Sequence, residues 1–300
     1  MKRTRDDTEE VKPISIPRGI RLNVEPSSRS PTELRLFSMH ICPFVQRTVI
    51  ALKIKNVPFT LCEMSLGKPR PEWFLKLNPE GKCPVLEHEG EFLNESYAIV
   101  DFVEELHPNP PLYPVDLHKR AFSRVFVKYL NDEFVPTLYK FLMNRDPSKE
   151  EEVYNKSLET FRWIDTFLRK HNPNPAVQGR FMWSDEFGIC EVMAASFFQR
   201  YCIHKHYKHF ELPDTEEYAR VRQYKDAITS HPLVISTAPI EQDMIKMYYD
   251  YTLGVSNGKA VPADSVLGYN SFDVEDHPLE DREIPPPHAV PEFLKKPKQS

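Results

Sequence analysis

No C-x-x-C pair occurs in this chain. Its five cysteines, at 42, 62, 83, 190 and 202, are odd in number and widely spaced, which excludes a disulfide framework and a zinc ribbon. In a reducing compartment each is either a small buried apolar residue or an individually reactive thiol. An excess of positive charge is also missing. With 39 Lys and Arg against 44 Asp and Glu, the formal net charge is −5, so the footprint of a dedicated nucleic-acid binder is absent. No apolar run approaches membrane-spanning length, and the opening MKRTRDDTEE carries both signs of charge with no apolar segment behind it; neither a membrane protein nor a secretory signal is expected, and a cytoplasmic protein is. No internal repeat links one half of the chain to the other.

What is present divides into four parts. Residues 1–31 hold Pro13, Pro17, Pro26, Pro31 and a Ser/Arg cluster without an apolar period, and read as a flexible tail. Residues 251–300 carry seven of the 28 prolines and few large aliphatics. This Pro-rich extension is read as detached from the core or draped on its surface; the alternative is that it folds back, burying Leu267, Tyr269 or Phe272. Between the tails the pattern changes once, at HPNPPLYPVD, residues 107–116, which marks a boundary between a domain at 32–110 and another at 115–250.

In the first domain Leu34–Ser38 alternates as a strand, and a helix follows from Pro43. Phe59–Cys62 reads as a second strand and Glu72–Leu77 as a short helix. Cys83–Glu87 and Glu91–Leu93 form a hairpin about Glu89-Gly90, and Ser96 opens and caps a last helix. Beyond residue 115 only amphipathic helices are expected, over 118–143, 149–170, 188–206, 214–229 and 239–250. The fold class is thus a small α/β domain followed by an all-α one.

Cys42 falls at the N-terminus of the first helix, where unpaired N–H groups and the helix dipole favour thiolate over thiol. A lowered pKa is therefore expected, with Arg47 one turn on adding positive potential. Pro43 suits the first helical turn. With Val45 where a second cysteine would stand, Cys42 cannot resolve a mixed disulfide locally and must borrow a thiol. Pro84, just ahead of a strand, is a candidate cis proline that would expose the backbone of Cys83 to an extended ligand. Glu95 and Ser96 could hold an amine and a carboxylate. Simple helix capping explains the same pair, and a packed, inert cysteine is the plain alternative for Cys42.

Cys42-Pro43-Phe44 with Arg47-Thr48, PEWF at 71–74, Asn78-Pro79, Gly81, Pro84-Val85-Leu86-Glu87 and Glu95-Ser96 together resemble the omega class of cytosolic glutathione transferases. The resemblance runs from about residue 34 to 110 and more loosely over 115–250, where Ala195–Arg200 carries it; the tails lie outside it. It implies a thioredoxin-like N-terminal domain, an all-α C-terminal domain, a homodimer, and glutathione as co-substrate with no metal. It also implies roles: Cys42 forms the mixed disulfide, Phe44 lines the pocket, and the backbone of Cys83 beside cis Pro84 pairs with the cysteinyl unit. Glu95 and Ser96 hold the γ-glutamyl end. Arg70 stands where that class presents a lysine to the glycyl carboxylate, and its fork suits that group.

Two departures stand out. Cys83 replaces the usual valine, bringing a second thiol near the first, although the resemblance implies that its side chain points away. The usual Ser-x-x-Asp helix cap is Gly188-Ile189-Cys190-Glu191, which keeps an acid and loses the hydroxyl. Cys202, His206 and His209 share a helical face as metal ligands could, but the neighbouring lysines 205 and 208 point to a solvated helix end. The implied activity is glutathione-dependent thiol transfer that reduces mixed disulfides and dehydroascorbate. Conjugation of electrophiles is the lesser alternative, since a Ser or Tyr serves it better. A non-catalytic binding or assembly subunit working through its terminal extensions is the alternative from another class.

Overall fold

The computed structural model describes residues 33–64, 70–253 and 283–295. The N-terminal tail and the residues Leu267, Tyr269 and Phe272 lie outside the described residues. Strand β1 (Leu34–Ser38) is buried along its whole length, because it lies inside a four-stranded sheet of order β2-β1-β3-β4. β2 (Phe59–Glu63) runs parallel to it, β3 (Val85–His88) runs antiparallel to it, and β4 (Glu91–Asn94) runs antiparallel to β3. Arg35 sits opposite Glu87 across β1 and β3, and the two buried side chains pair at 2.9 Å. The hairpin turns at Glu89 and Gly90, whose φ values of 52° and 87° are both positive, as a two-residue turn with the right-handed strand twist requires.

Helices α1 (Pro43–Ile54) and α3 (Ser96–Leu106), with the short α2 (Glu72–Leu77), complete the thioredoxin-like domain. α1 faces two ways. Val45 and Leu52 join Leu36, Val85 and Ile99 in the core of the sheet domain, whereas Ile50 and Ala51 join Val100 in a core shared with the helical domain. Lys55, at the end of α1, pairs with Glu104 of α3 and donates to the Pro110 carbonyl; Glu104 in turn accepts from the Leu112 amide at 3.0 Å. The Pro-rich linker is thereby pinned to both helices.

The second part is built of helices joined by loops. α4 (Leu117–Tyr129) passes through a π-helical turn, Leu130–Phe134, into α5 (Val135–Met143). The expected single helix is thus interrupted where Pro136, lacking an N–H, cannot continue the ladder, and Val135 N donates instead to the Leu130 carbonyl. α6 (Glu150–His171) and the short α7 (Pro175–Gln178) follow. The expected helix over 188–206 is two, α8 (Ile189–Gln199) and α9 (Tyr201–Lys208), broken at Arg200. Then come α10 (Ala219–Thr229), the short α11 (Pro232–Ile235) and α12 (Glu241–Thr252). Among the described residues no helix is long and apolar enough to cross a membrane.

Gly188 begins α8 beneath the Leu112 carbonyl, which would lie 3.0 Å from any Cβ there, so a capping serine would crowd the linker. Glu191 supplies the cap alone: its carboxylate accepts from the Gly188 and Met182 amides at 2.9 Å each and from the Tyr224 hydroxyl at 2.7 Å. Of the C-terminal extension, the described segment ends in α13 (Glu292–Lys295) and lies against the helical domain. His206 and His209 bond the carbonyls of Pro285 and His288, both at 2.7 Å, and Phe293 packs on Tyr154 with ring centroids 5.3 Å apart. The two rings read as possible metal ligands thus hold this segment.

Candidate active site

Cys42 occupies the N-cap of α1 with extended backbone (φ −71°, ψ 123°), held by a bond from its amide to the Met39 carbonyl at 2.8 Å. Its thiol is buried and points at the carbonyl of Cys83, with Sγ to O at 3.8 Å. The Cys83–Pro84 peptide is cis. Cys42 and the backbone beside Pro84, 41 residues apart in sequence, therefore meet. Cys83 is itself buried in the same apolar cluster; burial pushes its thiol up to about 12 against the opposing Arg70 charge.

The expectation of a lowered Cys42 pKa is corrected. Burial raises it above the ordinary thiol value, outweighing the Val45 and Phe44 amides and the guanidiniums of Arg200 and Arg47, which all act to lower it. The helix terminus and the positive charges are present as the sequence led one to expect. What the sequence did not reveal is how completely Cys42 is buried.

Of the remaining candidates, Phe44 lies on α1, and Arg70 and Ser96 each contact α1 or the loop before it, whereas Glu95 contacts neither among the described residues. Phe44 packs edge-on against Phe197 of α8 with centroids 5.4 Å apart. Arg70 donates from Nε to the Gly81 carbonyl at 2.7 Å and lies 3.1 Å from Met39 Sδ, so it bridges the loop before β3 and the loop that carries Cys42. Glu95 is exposed with φ at 66°, left-handed backbone that a side chain rarely adopts. Glu95, not Ser96, is the N-cap of α3; Ser96 is the first helical residue, buried, with its hydroxyl 3.5 Å from Arg47 Nη1.

Several neighbours escaped the sequence reading. Arg200, at the α8–α9 break, donates to the Ile41 and Ser196 carbonyls at 2.6 Å each, to Gln46 Oε1 at 2.8 Å and to the Tyr248 hydroxyl at 3.1 Å. It ties the residue preceding Cys42 to the helical domain 159 residues away. Tyr139 of α5 and Tyr248 of α12 interact electrostatically with Cys42 and line a small cavity with Phe197, Arg200 and His204. Ile41 inserts among Leu142, Ile203, Met244 and Tyr248. The Gln-Arg at 199–200 closing an apolar run was the one sequence signal for this seam.

Chemically, the arrangement is a cysteine sulfur at a helix N-terminus, facing a backbone edge that can pair with an extended ligand and flanked by buried cations. Comparison with known proteins agrees with it. Residues 36–111 match the family described as Glutathione S-transferase, N-terminal domain. The chain is 36% identical to Glutathione S-transferase L3 of Arabidopsis thaliana over 59% of this chain and 70% of that one. It is 35% identical to Glutathione S-transferase omega-1 of Mus musculus over 41% of this chain and 57% of the relative. The structure of glutathione transferase Omega 3C from Trametes versicolor superposes with a TM-score of 0.63 at 24% identity, covering 74% of this chain and 91% of that one. With the sheet, the cis proline and the cysteine-bearing helix all in place, the chain belongs to the glutathione transferase family and is omega-like within it.

Proposed function

We propose that this chain is a glutathione-dependent thiol transferase in which Cys42 is the nucleophile. The carrying observation is that Cys42 Sγ, at the start of α1, faces the Cys83 carbonyl beside cis Pro84. In the forward step the Cys42 thiolate attacks the glutathionyl sulfur of a mixed disulfide; the substrate sulfur leaves as thiolate and takes up a proton. A second glutathione thiolate then attacks the glutathionyl sulfur held on Cys42, releasing oxidised glutathione and regenerating the Cys42 thiolate. Dehydroascorbate is the small-molecule oxidant assigned alongside, accepting two electrons and two protons from two glutathiones. Phe44, Arg70, Cys83, Pro84, Glu95 and Ser96 form the glutathione site, with Arg70 at the glycyl carboxylate and Glu95 and Ser96 at the γ-glutamyl end. A non-catalytic scaffold would have no use for that set gathered about one thiol.

Cys42→Ser is expected to abolish thiol transfer with an unchanged melting temperature; transfer at the wild-type rate would move the chemistry to another residue. The same reading carries a cytoplasmic location, checked by cell fractionation, and a homodimer. Val115, Leu117 and Val125, exposed on and just before α4, support an apolar self-contact. Leu117→Asp with Val125→Asp is expected to halve the mass measured by light scattering, and a wild-type mass of about 35 kDa would remove the dimer.

A further inference from the structure

Arg47 is among the largest fully buried side chains of the protein, and among the described residues no carboxylate pairs with it. Its Nε donates to the Met193 carbonyl at 2.9 Å, and its Nη1 to Asn131 Oδ1 at 3.0 Å and Ser96 Oγ at 3.5 Å. Its Nη2 has no hydrogen-bond partner among the described residues. The rings of Phe44 and Phe197 flank the guanidinium at 5.4 and 4.8 Å. A buried cation without a counter-ion is costly, so an anion brought beside it gains a strong partner.

We propose that Arg47 is a positioning residue that serves both ends of the glutathione site, as counter-charge to the Cys42 thiolate and, through Ser96, as the support for the γ-glutamyl carboxylate. This rests on the reading of the site given above. Because Ser96 Oγ accepts from the guanidinium, the hydroxyl hydrogen remains free to donate outward, and an ionised carboxylate can only accept. Cys42 stands at the N-cap of the same helix; burial raises its pKa, and Arg200 and, after it, Arg47 are the two charges that act to lower it. In turn the thiolate favours the charged form of Arg47, whose pKa burial draws down to about 9. The other groups facing the sulfur are Cys83 before β3, Tyr139 on α5, Arg200 between α8 and α9, and Tyr248 on α12. Arg200 has its own four bonds, none of them to Ser96, so among the described residues only Arg47 joins the two ends.

The test uses the full chain with Arg47→Gln and Arg47→Lys, each checked for an intact melting transition. Alkylation of Cys42 by iodoacetamide is followed by mass spectrometry without glutathione, and thiol-transfer kinetics are measured separately. Arg47→Gln is expected to slow Cys42 alkylation at pH 8 by about threefold or more and to raise the glutathione KM about tenfold. Arg47→Lys is expected to keep alkylation within about twofold, since the charge persists, while KM rises because an ammonium lacks the fork that reaches Ser96. A purely structural clamp would not separate these two readouts. Wild-type alkylation in folded Arg47→Gln, or an unchanged KM in both variants, overturns the proposal. Should Arg47→Gln not fold, Arg47→Lys decides: retained alkylation with a raised KM upholds it, and slowed alkylation overturns it. A wild-type protein without thiol transfer would instead overturn the functional reading, with the alkylation comparison still deciding the electrostatic role.

Discussion

At the scale of single residues, the central competition is between a helix N-terminus and burial. Two amides and two guanidiniums favour the Cys42 thiolate, but a cysteine with 6% exposure loses more solvation than they return. With the pKa raised, Cys42 of the free protein is mostly thiol at neutral pH. Its alkylation rate is expected to rise steadily from pH 7 through pH 8.5, following the thiolate fraction. A plateau near pH 7 would show that the cations outweigh desolvation. Arg47 was legible in the sequence as a positive residue one turn along α1. That it is buried, shared with Ser96 and without a carboxylate among the described residues was not, because those facts depend on Met193, Asn131 and Phe197, brought in from other elements.

At the scale of elements, irregularities carry the site. The π turn before Pro136 holds Asn131, which accepts from Arg47, and the break at Arg200 frees a side chain to reach back to Ile41. A sequence period detects neither, since both interrupted helices keep their apolar stripe across the irregularity. The start of α8 shows a local rule rewritten by packing: Gly188 stands where a hydroxyl would cap, and Glu191 gathers three donors instead. Burial holds its pKa above the usual carboxylate range. The folded state therefore keeps its proton to higher pH than the unfolded one, and its contribution weakens as pH rises through that raised value. Because all three partners donate, Glu191→Gln would set an amide N–H against an N–H or O–H. A loss of about 1–3 kcal/mol is expected in chemical denaturation at pH 7. An unchanged midpoint would mean the helix start does not depend on this carboxylate.

For the whole molecule, the decisive contact is between the loop carrying Cys42 and the helical domain. Ile41, Gln46 and Phe44 are each engaged by residues more than 100 positions away. Of the two readings of the C-terminal extension, detached or draped on the surface, the described segment 283–295 follows the second: it lies on α9 and α6, held by His206, His209 and Tyr154. Ending the chain at residue 282 is expected to cost about 1–2 kcal/mol, a fall of several degrees in melting temperature, with glutathione binding intact. The seat of the segment involves none of the proposed glutathione ligands. An unchanged melting temperature would return the extension to a detached tail.

By itself the sequence determined what local chemistry can determine. Alternation placed β1, the run Phe59–Cys62 placed β2, and the Glu89-Gly90 turn placed β3 and β4; Pro43, Ser96 and the Pro-rich linker placed the starts of α1, α3 and the helical half; and Cys42 at a helix start, with no second cysteine beside it, pointed to one-thiol chemistry. These signals act between residues a few positions apart, so a linear reading reaches them. Only the tertiary structure decided the sign of the Cys42 pKa shift, the pairing of Arg47 with Ser96, the roles of Arg200, Tyr139 and Tyr248, and the seat of the C-terminal segment. Each depends on desolvation and on contacts between elements far apart in the chain, and burial is a property of the assembled core that no single segment encodes.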